Sequence, residues 1–155
     1  MRDMIHTTID AVQKTHVNEH KDYEYKRGDL VSEEMAKQFT LSVYEIPPGK
    51  SAYPYHYHTL KEEVFYIISG QGVLKTHTGD RQVKAGDFLF FPVGETGAHK
   101  LTNASESDLL VYLDFGSNNE LEAAFYPDTG KAGIFTKDIQ QLYKMSDAVG
   151  YYSGE

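Results

Sequence analysis

Two of the chain's seven histidines, His56 and His58, stand two apart in the run YPYHYHTLKEE. Residues i and i+2 of an extended segment project from one face. The two imidazoles would then lie about 7 Å apart along a strand, near enough to converge on one ion. Carboxylates follow at Glu62 and Glu63, on either side of an expected turn, and a third imidazole, His99, opens a later segment. Three neutral imidazoles and one carboxylate form a nitrogen and oxygen donor set for a divalent first-row metal, with Mn, Fe, Ni, Co, Zn and Cu all compatible. The chain has no cysteine, which leaves no thiolate site and no thiol nucleophile to compete with this set. A His-x-His pair alone is a weak signal among seven histidines. His77 reads as surface, and His6, His16 and His20 read as solvated residues of a polar N-terminal stretch.

The elements that must position these groups have strand character. FTLSVYEI (39–46) alternates and stops at Pro47-Pro48-Gly49. EVFYIISG (63–70) is aromatic and β-branched and ends at Gly70-Gln71-Gly72. GVLKTH and RQVKA flank Thr78-Gly79-Asp80 as a hairpin, and DFLFFP (87–92) is an apolar run short enough for a buried strand. AHKLTN and DLLVYLDF (108–115) follow. Short strands with regular turns and no crossover helix indicate an antiparallel sandwich or barrel. Residues 1–38 read as an arm, with a strand at Tyr23 to Lys26 and a turn at Gly28-Asp29. NNELEAAFY fits a short helix or an extended segment equally well, and the tail aromatics Tyr143, Tyr151 and Tyr152 are expected to dock on the barrel.

The remaining composition excludes several classes. Fifteen Lys and Arg against twenty-three Asp and Glu leave a charge of −8, which argues against a nucleic-acid partner. No stretch approaches the roughly 18 apolar residues of a membrane span, and the N-terminus lacks a signal-like apolar run. A cytoplasmic location is expected. Walker loops, nucleophile elbows and His-Glu-x-x-His patterns are all missing.

The surroundings of the histidines resemble the cupin superfamily. Its first motif reads here as Gly49, six residues, His56-Tyr57-His58, four residues, Glu63, six residues, Gly70. Its second reads as Gly86, five residues, Pro92-Val93-Gly94, four residues, His99, three residues, Asn103, with fifteen residues between the motifs. The gap before His56 is one residue longer than the common form. The gap before His99 is four where two is usual, an insertion within Glu95 to Ala98 expected to reshape one pocket wall. PYHYH, GETGAH, YPDTGK and the terminal YYSGE are similar to a group of bacterial single-domain cupins for which no one reaction is implied.

The resemblance implies an all-β fold, the cupin double-stranded β-helix (jelly-roll barrel) with an N-terminal arm and a docked C-terminal tail. Residues 1–155 would form a single cupin domain, with the motif-bearing core at about 39–115, the arm at 1–38 and a C-terminal extension at 116–155. His56, His58, Glu63 and His99 match the family's metal ligands. Glu63 is preferred to Glu62 by its six-residue spacing to Gly70, and Gly49, Gly70 and Gly86 match turn positions. Asn103 is assigned a structural hydrogen bond. Tyr55 and Tyr57 alternate with the histidines and should face away from the ion, whereas Tyr53 is the better pocket wall. Four protein ligands leave open positions for a small-molecule ligand. The expected function is a small metalloenzyme for an oxygen-rich or anionic molecule, by oxygenation, isomerisation or decarboxylation. The alternative is a metal-dependent binding or sensing module without turnover. A homodimer is expected.

Overall fold

The computed structural model describes residues 4–155. Thirteen strands run in chain order: β1 (Thr15–His20), β2 (Tyr23–Val31), β3 (Phe39–Ile46), β4 (Tyr57–His58), β5 (Glu63–Ser69), β6 (Gln71–Thr76), β7 (Gly79–Lys84), β8 (Phe88–Phe91), β9 (His99–Asn103), β10 (Leu110–Ser117), β11 (Leu121–Tyr126), β12 (Lys131–Thr136) and β13 (Gln140–Lys144). Two single turns of 3₁₀-helix, Glu95–Gly97 and Met145–Asp147, complete the described elements.

One face is a six-stranded sheet in the order β1-β2-β3-β10-β5-β8. The other is built from β7-β6-β9 and β13-β12-β11-β4. Bridges from Ser51 to Thr102 and from His56 to His99 connect the segment before β4 to β9, so the two smaller groups meet along that segment. The ladders are antiparallel, the arrangement that short turns without crossover helices produce. This is the jelly-roll architecture expected from the motifs.

Between the faces lies an apolar core that includes Tyr44, Ile46, Phe65, Ile67, Leu74, Phe91, Leu101, Leu110 and Tyr112. Tyr44 and Tyr112 sit opposite each other on β3 and β10 and stack at 5.0 Å. Their paired inward side chains fix the register of the central ladder, because a one-residue slip would turn both to the outer face.

Several local expectations need correcting. Gly28 and Asp29 lie inside β2 and not in a turn. A Cβ on Gly28 would stand 2.7 Å from Val12 Cγ1, so the glycine admits the N-terminal chain across the sheet. The strand at Tyr23 to Lys26 therefore continues through Val31 and joins the six-stranded sheet beside β3. The β6–β7 turn is His77-Thr78, with Gly79 and Asp80 already paired in β7. DFLFFP is not a buried strand: β8 is an edge, and Phe88 and Phe90 are 66% and 54% exposed while Phe91 turns inward. NNELEAAFY is extended and forms β11. The tail is held by the backbone pairing of β13 with β12, but its aromatics do not dock: Tyr143 is 48% exposed on β13, and Tyr151 and Tyr152 are 91% and 80% exposed and pack on each other.

Candidate metal centre

Each candidate ligand is aimed by the strand that carries it. His56 and His58 share a face of the segment that bridges β9 and then pairs with β11. Glu63 opens β5, whose inward residues are Glu63, Phe65 and Ile67. Glu62 precedes the strand and is exposed, so the parity of β5 decides between the two carboxylates. His99 opens β9 and is almost wholly buried.

The structure brings all four together on the lining of a cavity of about 970 Å³. His56 Nε2 lies 3.2 Å from His58 Nε2, which is 3.3 Å from Glu63 Oε2. The same Glu63 oxygen is 3.4 Å from His99 Nε2. Among the described residues, His56, His58 and Glu63 place one donor atom each within 4.8 Å of one another, and His99 joins them through Glu63.

Tautomers follow from the outer hydrogen bonds. His56 Nδ1 donates to the Pro54 carbonyl at 2.8 Å and His99 Nδ1 to the Gly97 carbonyl at 2.9 Å. Each bond leaves a lone pair on Nε2, pointing inward. The acceptor for His99 belongs to the lengthened four-residue gap, which folds as the turn Glu95–Gly97. The longer gap thus orients the third imidazole.

Two donor atoms in this centre, Glu63 Oε2 and His99 Nε2, are buried without a hydrogen-bond partner. Orphaned polar atoms are costly unless something completes them. A metal with bonds of about 2.0–2.2 Å holds neighbouring donors roughly 3.0–3.6 Å apart, which is the spacing found here. His56, His58, Glu63 and His99 could therefore hold a divalent first-row ion.

Electrostatics distinguish the four. Burial, with the nearby His99 and His58 rings, pushes His56 down to about 3, so it stays neutral. Burial also opposes charge on His58, but the neighbouring Glu122 and Glu63 carboxylates outweigh it and raise His58 to about 9. Burial alone would raise Glu63, yet Lys61 and the histidines hold it well below the ordinary carboxylate range. Desolvation and the Glu63 charge raise Asp114, also on the cavity wall, to about 7.

Tyr53 lines the cavity as expected, with its hydroxyl 3.0 Å from that of Tyr44. Tyr55 and Tyr57 face away: Tyr55 lies under Lys75, and Tyr57 stacks on Phe125. Asn103 donates to the carbonyls of Ile46 and Asp108, a purely structural arrangement. His6, His16, His20 and His77 are exposed.

Sequence reasoning missed Lys61, Asp114, Glu122 and Tyr126. Tyr126 stacks on His56 at 5.8 Å. Glu122 Oε1 accepts from the Thr59 backbone N–H at 2.8 Å and faces His58 Nδ1 at 3.7 Å. Asp114 was reachable by parity, two residues beyond the inward Tyr112; Glu122 and Tyr126 were not, because β11 had no decisive pattern.

Residues 42–115, just under half of the chain, match the cupin domain family. An oxalate-binding protein of Thermotoga maritima is 37% identical over 65 residues, covering 42% of this chain and 51% of that protein. The match thus spans about half the length of that curated relative. A solved structure described as a sugar phosphate isomerase from Acidithiobacillus ferrooxidans is 26% identical, covers 81% of this chain and 80% of its own, and has a TM-score of 0.71. A sugar phosphate isomerase structure from Silicibacter pomeroyi covers 93% of this chain and 95% of its own with a TM-score of 0.81, and at 18% identity it shows the fold alone. No described helix is long and apolar enough to cross a membrane. The two-motif barrel and the family match agree: this chain carries a cupin domain at residues 42–115.

Proposed function

We propose that the chain binds one divalent first-row metal through His56, His58, Glu63 and His99 and acts as a small metalloenzyme on an anionic, oxygen-rich molecule. The observation that supports this reading is the pair of buried donors without a hydrogen-bond partner, Glu63 Oε2 and His99 Nε2, 3.4 Å apart beside His56 and His58. A divalent ion with three neutral imidazoles and one carboxylate has a net charge of about +1, which favours an anionic chelator. When bound, the metal supplies Lewis acidity toward a carbonyl or an enolisable oxygen.

The chain's own residues would do the rest. The stacked Tyr44 and Tyr112, with Phe65, close the cavity on the six-stranded side, and Tyr53 forms its approach wall. Asp114, held near neutral pH by burial, is placed to carry a proton inside the cavity. The oxalate and sugar phosphate named for the similar proteins share anionic oxygen chemistry, which makes them the first ligands to test. We further propose that the chain works in the cytoplasm as a homodimer.

A second reading is a metal-dependent binding module without turnover. It is favoured by the binding function in the name of the Thermotoga protein. Metal-loaded protein should be incubated with oxalate and with a panel of aldose and ketose phosphates while binding and product are followed. Turnover supports the enzyme, and saturable binding without product supports the module. Neither binding nor turnover of any anionic oxygen ligand would overturn both.

A further inference from the structure

The two oxygens of Glu63 have different partners. Oε2 faces the His58 and His99 Nε2 atoms and has no hydrogen-bond partner. Oε1 forms an ion pair with Lys61 Nζ at 2.9 Å. Lys61 comes from the loop between β4 and β5 and is mostly buried, in the same cavity as Asp114 and Ser117.

Its route is built into the sheet. A Cβ on Gly116 would stand 2.2 Å from Lys61 Cε and 2.9 Å from Nζ. Gly116 pairs with Glu63 across β10 and β5, so the missing side chain is the gap through which the lysine stem reaches that carboxylate. An ammonium has three donors. Glu63 is the one ion-pair partner of Lys61 among the described residues, which leaves N–H groups for another acceptor in the cavity.

We infer that Lys61 is a positioning and selectivity residue: it keeps Glu63 a one-oxygen ligand and adds a fixed positive charge beside the open metal positions, so that they prefer anionic ligands to neutral ones. This rests on the metal reading proposed above. With the ion in place, Lys61 makes the centre one charge more positive, at about +1 and not about 0 once the nearby Glu122 carboxylate is included. An anion bound beside Lys61 then gains a charge-assisted hydrogen bond that a neutral ligand of similar size does not.

The test uses Co(II)-loaded full-length protein, with azide as the anionic probe and imidazole as the neutral one, each titrated by visible absorption. Lys61→Met keeps the stem over Gly116 and removes the charge; Lys61→Gln serves the same comparison if the Met variant does not fold. The expected result is azide binding weakened about tenfold in either variant, imidazole binding within about twofold of the parent, and azide binding largely restored in Lys61→Arg. Azide affinity unchanged in the neutral variants would overturn the inference, as would equal weakening of both probes, which marks a merely structural role. A parent chain that takes up no Co(II) overturns the metal reading itself, and the inference with it.

Discussion

At the scale of single residues, the centre depends on which atoms carry protons. His58 is raised to about 9, above its ordinary value of about 6.5, by the Glu122 and Glu63 carboxylates working against burial. In metal-free protein it is therefore charged at pH 7 and must lose its proton to become a ligand. Metal uptake at pH 7 should release about one proton, measurable by calorimetry in buffers of different ionisation enthalpy. Uptake with no proton release contradicts this assignment. The sign for stability is the same: the ion pair contributes fully to the metal-free fold below about pH 6.5 and is lost as pH rises through about 9. Glu63→Gln should weaken metal binding by more than about 100-fold, beyond the cost of losing an outer partner, whereas Glu62→Gln should leave it unchanged. Competition against a chelator reads both, and a loss in the Glu62 variant would reverse the choice between neighbours. All four proposed ligands were legible in the sequence because strand parity and motif spacing act locally. Lys61 was not, because its role depends on the absence of a side chain at Gly116, 55 positions away.

At the scale of elements, strands with a buried face were read well and strands at edges were not. β3 and β5 begin where their alternation begins, since each has one face in the core. β8 was misread because four consecutive apolar residues carry no parity, and its edge position exposes alternate phenylalanines. Gly28-Asp29 looks like a turn in the sequence and so hides the second half of β2, while the use of Gly28 is to admit residues 12–14 over the sheet. Gly70 shows the turn chemistry directly. Its φ is 85°, and a Cβ would lie 2.4 Å from the Leu109 carbonyl oxygen. Gly70→Ala should destabilise the fold by about 2–3 kcal/mol, combining a left-handed backbone with a clash against rigid main chain. Thermal and urea unfolding measure this, and a change under about 0.5 kcal/mol would refute the stated cause.

At the scale of the whole molecule, the charge of −8 is shared by the surface and the cavity, whose lining includes Glu63, Asp114 and Glu122, while the proposed donor set itself would become positive on binding a divalent ion. The outer face of the six-stranded sheet is open and apolar at Tyr66, Phe88, Phe90 and Phe115. Phe88 lies opposite Tyr66 and Phe90 opposite Val64, so these side chains form one patch. A dimer through this patch would scatter light at twice the chain mass, and Phe90→Lys should shift it to the monomer; a monomeric parent protein contradicts the homodimer. The proposed chemistry stands on the metal. Elemental analysis of protein purified without a His tag, before and after loading with Mn, Fe, Ni, Co, Zn or Cu, tests it most directly. The predicted result is about one first-row ion per chain with a raised melting temperature, both lost in the His56→Ala, His99→Ala double variant. A chain that takes up no ion and melts unchanged, or a double variant that retains full metal content, would contradict the central claim.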